Sequence, residues 1–254
     1  MIQFLVALLP ALLLVFHIYK ADRLQPEPWS QLKRAFGFGI LSIVVSFCFS
    51  IPLSNLGFFS DDYTDWTGAL RLAFFGAAVP EELAKFLMLW LVVRRNKYFD
   101  EKMDGIVYAV CVGMGFAAFE NVTYLFGAGD EWLSMGMARA FMAVPCHYYL
   151  AVFMGYFFSL YWFERDNKMW NLFWTLAAPI LAHTLYDFLL MYIAVTDSEV
   201  VISVLSIILF VSCFQFLKWS RLRISQHLMA DEVNGYLKRE QSATDDYDRS
   251  DRAY

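Results

Sequence analysis

Runs of about twenty residues with few or no ionisable groups dominate this chain, and they decide its solvent. A hydrocarbon layer about 30 Å thick takes about 20 helical residues to cross. Stretches that qualify lie near 2–19, 35–53, 69–93, 105–127, 135–163, 170–195 and 199–217, separated by short polar clusters. Of the 254 residues 59% are hydrophobic and 19% aromatic, against roughly 45–50% apolar residues in soluble domains. The pattern predicts an all-α fold, a polytopic transmembrane helix bundle of about seven spans. The fifth stretch is long enough that it must tilt, kink at Pro145 or extend beyond the lipid. Residues 1–223 form the bundle on this reading, and 224–254 a polar acidic tail, of which Ser242 to Tyr254 reads as solvated or disordered.

Basic residues give the direction of threading. Lys20, Arg23, Lys33 and Arg34, then Arg94, Arg95, Lys97 and Lys102, then Arg165 and Lys168, then Lys218, Arg221 and Arg223 fall on one face if the spans alternate. The opposite loops read DDYTDW, GAGDEW and TDSE. Because cytoplasmic loops carry the excess of lysine and arginine, the N-terminus is expected outside and the C-terminus in the cytoplasm. A net charge of −5 speaks against nucleic acid as a ligand. Cys48, Cys111, Cys146 and Cys213 stand singly in apolar stretches, which suggests neither a zinc cage nor a disulfide framework. The N-terminus lacks a basic region and a clear cleavage site, so it reads as a retained first span.

Charged groups at bilayer depth cost about 2.5–3.5 kcal/mol each on insertion scales, so each demands a partner, a wet cavity or a function. Span three carries Glu81, Glu82 and Lys85 after Pro80; span four Glu120 and Asn121; span five Arg139 and His147; span six His183 and Asp187. Counting along the helices places Glu81, Glu82, His147 and His183 near the midplane and Glu120, Arg139 and Asp187 further outward. Spacings of three and four let Lys85 share a face with Glu81 and Glu82, and His183 with Asp187. Two adjacent glutamates in low dielectric do not both ionise cheaply, which suits one of them to general acid or base work. The plainer reading makes the set a buried structural network, His147 a hydrogen-bonded core histidine and Arg139 an interfacial anchor.

The arrangement EELAK at Glu81 to Lys85, FAAFEN at Phe116 to Asn121 and HTLYD at His183 to Asp187 resembles the PrsW intramembrane proteases, a family marked by EExxK, FxxxE and HxxxD motifs on successive membrane helices. DRLQPEPW at Asp22 to Trp29 and the block DGIVYAVCVGMGFAAFEN resemble it too, over residues about 15–190. That family is distantly similar to the CAAX prenyl endopeptidases, which also use membrane-embedded glutamates. The resemblance implies a protease of the bacterial cytoplasmic membrane that clips single-pass membrane proteins, an anti-sigma factor being the known kind of substrate. It implies Glu81 and Glu82 as the general base and His183 as the partner of water or oxyanion. Lys85, Glu120 and Asp187 would give charge balance and orientation, Asn121 a hydrogen bond to the tetrahedral intermediate, and His147 is a further supporting residue. No cofactor and no metal is called for, and membrane lipid is the other expected contact.

Two rivals stay open. His147, His183, Asp187 and the glutamates have the residue types of a zinc-dependent membrane protease, although HExxH is absent. A proton-coupled transporter or channel also places Glu, His and Asp inside the membrane, but the chain shows no internal repeat between halves. A non-catalytic scaffold for membrane helices would have no need of the glutamates.

Overall fold

The computed structural model describes the backbone of residues 1–251 and the side chains of residues 1–235. Among these residues there is no strand. The chain runs through α1 (Ile2–Ala21) and α2 (Trp29–Asn55), then an unbroken helical run made of α3 (Trp66–Arg71), a π-helical stretch (Leu72–Ala78) and α4 (Val79–Val93). α5 (Lys102–Gly127), α6 (Trp132–Phe141), α7 (Ala143–Phe163), α8 (Lys168–Val195) and α9 (Glu199–Asp251) follow. Among the described residues six stretches are long and apolar enough to cross a membrane, α6 and α7 counting together. The run from Trp66 to Val93 is the remaining expected span, set apart by Arg71, Glu81, Glu82 and Lys85. The chain is therefore an all-α, multi-pass helix bundle. α9 continues unbroken past 223, burying Ile224, His227 and Asp231. The side chains of the tail from Ser242 lie outside the described residues.

α5 is the axis. Every residue from Met103 to Ala118 is buried, as a helix apolar on all sides must be at the centre of a bundle. α1, α2 and α7 surround it. α2 crosses it at backbone contact: a Cβ on Gly115 would lie 2.1 Å from the Phe36 carbonyl oxygen, and one on Gly39 2.1 Å from that of Val112. Small residues are what allow so close a crossing. The outer helices expose their large apolar side chains, among them Leu5, Leu9, Ile207 and Phe210, which in a bilayer meet lipid tails.

The expected break in the fifth span falls at Met142, whose φ of −120° and ψ of −64° separate α6 from α7. Pro145, three residues on, has no N–H for the carbonyl of Phe141, so the helical ladder cannot continue through this turn.

On the face that carries the basic loops, the ends of α1, α2 and α5 meet the middle of α9 around acids. Asp104 accepts the backbone N–H groups of Asp100 (2.9 Å) and Glu101 (2.8 Å), and Asp231 of α9 those of Lys102 (3.0 Å) and Met103 (2.8 Å), so two carboxylates cap α5. Glu27 accepts the Tyr108 hydroxyl. Asp22 is 1% exposed, and among the described residues no side chain bonds to either of its oxygens. Burial first, then the charges of Glu27, Glu101 and Asp231, push its pKa up to about 7. The folded chain therefore holds this proton more tightly than the unfolded one. The stability it confers is complete below the ordinary aspartate range and is lost as pH rises through about 7. In detergent the protein is expected to lose roughly 5–10 °C of melting temperature between pH 5 and pH 8. Asp22→Asn should flatten that slope; a variant as pH-sensitive as wild type would contradict the assignment.

Candidate active site

The third span turns its chemistry inward through local structure. Pro80 sits in the first turn of α4, where its missing N–H costs least, and the chain just before it widens into the π-helical stretch. Glu82 and Lys85 then face the bundle interior, 0% and 4% exposed, and Glu81 lies about 100° round the helix at the edge of a cavity.

Three other helices converge there. Lys85 Nζ donates to Glu82 Oε1 at 2.8 Å and Glu81 Oε2 at 3.3 Å, lies 3.2 Å from His147 Nδ1, and sits 4.0 Å from the centre of the Phe116 ring. An ammonium has only hydrogens to offer. His147 Nδ1 is therefore the acceptor, and its Nε2–H points to Glu120 Oε2 at 2.9 Å. His183 is held at both nitrogens, Nδ1 2.9 Å from Glu82 Oε1 and Nε2 3.2 Å from Asp187 Oδ2, with Glu81 Oε2 3.9 Å from Nε2. The two imidazoles meet edge to face with centroids 5.4 Å apart.

The structure thus brings Glu81, Glu82, Lys85, Glu120, His147, His183 and Asp187 into one connected network. Asn121 joins it only through Arg139 and does not line the cavity: it is 1% exposed, and its Nδ2 donates to the Ala7 carbonyl at 3.1 Å, which ties α5 to α1. Arg139, expected near an interface, belongs to the network. Its Nη2 donates to Glu120 Oε2 at 2.5 Å and its Nε to Asn121 Oδ1 at 2.6 Å.

The cavity holds about 530 Å³. Glu81, Glu120, Arg139, His147, His183 and Asp187 form its polar floor, and Met135, Met142, Leu190 and Met191 its apolar walls. It reaches Tyr63 and Ala194, hence toward the face opposite the basic loops. Tyr63 comes from the segment 56–65, which Arg71 pins by donating to the carbonyls of Phe58 (2.7 Å) and Gly57 (2.5 Å). Hydropathy marked that segment only as an acidic loop, and nothing in the sequence placed it over the site.

Four carboxyl groups, Glu81, Glu82, Glu120 and Asp187, face two permanent cations, Lys85 and Arg139. The imbalance of two negative charges must be met by protons on the histidines or carboxyls, or by a bound cation. Glu81, Glu82, His147 and His183 each offer a ligand atom, all within 4.8 Å of one another. Glu82 Oε2 is buried without a partner.

Residues 27–214 match the family described as PrsW family intramembrane metalloprotease. The chain is 35% identical over 192 residues to Protease PrsW of Clostridioides difficile (strain 630), covering 74% of this chain and 79% of that one. It is 31% identical over 182 residues to Protease PrsW of Geobacillus kaustophilus (strain HTA426), with 72% and 76% covered. Against Protease PrsW of Bacillus subtilis (strain 168) it is 30% identical over 182 residues, with 71% and 79% covered. No solved structure matches.

Proposed function

The chain belongs to the PrsW family of intramembrane metalloproteases and is a multi-pass protease of the bacterial cytoplasmic membrane, and we propose that it cuts single-pass membrane proteins of the anti-sigma-factor kind within the cavity floored by Glu81 and His183. One observation supports this most: paired glutamates and two histidines from three helices converge beside a cavity with apolar walls. A transmembrane segment entering it exchanges lipid for Met135, Met142, Leu190 and Met191.

Glu81 is the general base, because it lines the cavity and Glu82 does not. It takes a proton from water and returns it to the leaving amine. His183 Nε2, 3.9 Å from Glu81 Oε2, lies close enough for one water to touch both side chains. Glu82 and Asp187 hold the ring at its two nitrogens. Lys85 offsets the charge of the pair, and Glu120 orients His147.

The family's description includes a metal, and the residues fit a divalent one. Two imidazoles and two carboxylates are a zinc-type donor set, the Glu82 Oε2 lone pairs are unused, and the charge imbalance is that of a divalent ion. Glu82, His147 and His183 are the residues that would hold it, which leaves Glu81 beside them as the base. When bound, such an ion polarises a carbonyl and acidifies water.

The basic face is assigned to the cytoplasm, so the cavity opens toward the outside. The test is cleavage of tagged single-pass membrane proteins by the purified protein in liposomes. Discrete products with new termini near the outer face are expected. Failure of the folded protein to cut any member of a broad panel, or termini on the basic-loop side, would contradict the reading.

A further inference from the structure

Resting on the protease reading, we propose that Arg139 is a positioning residue of the active site, holding Glu120 and through it the ring of His147 across the break between α6 and α7. Arg139 lies in the last turn of α6 and His147 in the second turn of α7, on either side of Met142. An interrupted helix does not transmit the direction of one half to the other. Here the connection runs through α5: a single oxygen, Glu120 Oε2, accepts from Arg139 Nη2 at 2.5 Å and faces His147 Nε2 at 2.9 Å.

The grip on the guanidinium is closer than an anchor at the water interface requires. Nη2 and Nε engage adjacent residues of α5, Glu120 and Asn121, and the cation lies 4.0 Å from the centre of the Tyr124 ring, one turn further along the same helix. A snorkelling arginine keeps its head in water, whereas this side chain is 11% exposed. The planar fork matches two acceptors side by side, a geometry that lysine does not reproduce. Without it, Glu120 keeps His147 as its sole strong partner and both are free to turn. The bond from Lys85 to His147 Nδ1 then no longer fixes the ring's plane.

Protein labelled with ¹⁵N-histidine, with His147 assigned by His147→Gln, gives a readout independent of cleavage. In wild type the two ring nitrogens of His147 should resonate far apart, as for one fixed tautomer, and in Arg139→Gln their shifts should converge. Cleavage by Arg139→Gln should fall roughly 10–100-fold in kcat, the range for residues that orient a site's ligands, with KM within about twofold. Arg139→Lys should recover part of the rate. Because Arg139 acts through Glu120, the double variant Glu120→Gln/Arg139→Gln should be no slower than Glu120→Gln alone.

Additive losses, a rise in KM with kcat unchanged, or an unaltered His147 spectrum would each overturn the proposal. Should Arg139→Gln fail to fold, Arg139→Lys carries the same spectroscopic comparison. If wild type cuts nothing while His147 ordering still depends on Arg139, the protease reading fails and the positioning role stands.

Discussion

Glu81→Gln is expected to slow peptide-bond cleavage by roughly 10²–10⁴-fold, the contribution of a positioned general base, while the bundle melts within about 2 °C of wild type. The difference between rate and stability comes from where the two glutamates sit. Glu81 touches the cavity, with its side chain 16% exposed, and its bond to Lys85 is the longer one at 3.3 Å. An amide there still accepts from Lys85 but takes no proton from water. Glu82 is 0% exposed, and one of its oxygens serves both Lys85 at 2.8 Å and His183 at 2.9 Å. Glu82→Gln should therefore lose stability together with activity. Single-turnover cleavage in liposomes alongside thermal melting separates the cases. Full activity in Glu81→Gln with a dead Glu82→Gln would move the base to Glu82, and full activity in both would remove the glutamates from the chemistry.

Lys85→Met should show the largest stability loss of any single change at the site. The ammonium is 5% exposed and set among Glu81, Glu82, His147 and the face of Phe116. Its removal leaves adjacent carboxyl groups with no permanent cation beside them. Removing one partner of a buried ion pair costs about 3–5 kcal/mol, and at this chain length each kcal/mol shifts the midpoint by about 2–4 °C. A fall of roughly 10 °C or more in detergent follows. Since the penalty is uncompensated charge, Lys85→Met/Glu82→Gln should melt higher than Lys85→Met alone. A double variant that melts lower still would mean that the lysine stem packs and its charge is incidental.

The all-α, multi-pass class was legible because bilayer thickness imposes a length that composition reveals, whereas the expected seventh span, Trp66 to Val93, is set apart by the charges it carries. The motif residues were legible because ionisable groups at that depth require company, and Glu81, Lys85, Glu120, His183 and Asp187 all find it. What hydropathy does not carry is the rotation of each helix about its axis. Arg139 and Asn121 exchanged expectations for that reason. The bond between Arg139 of α6 and Asn121 of α5 spans 18 residues and is set by the turn at Gly129–Glu131, for which charge and spacing offer no rule. Which glutamate meets the cavity was equally undecided, since residues 81 and 82 differ only by about 100° around one helix. Asp22 and Glu27 fall between the first two expected spans and are buried, because α5 and α9 close over them.

That same 100° gives the π-helical stretch Leu72–Ala78 its weight. A π turn holds one residue more than the α turn it replaces, so it acts as a built-in insertion that ends just upstream of Pro80 and the glutamates. Everything before it, including Arg71 and the loop that Arg71 pins, is rotated by about one residue's turn relative to Glu81 and Glu82. The alignment of loop, cavity and glutamates is thus encoded in chain length as well as in residue identity. A change of one codon in this short stretch alters the site without touching any of its chemical groups.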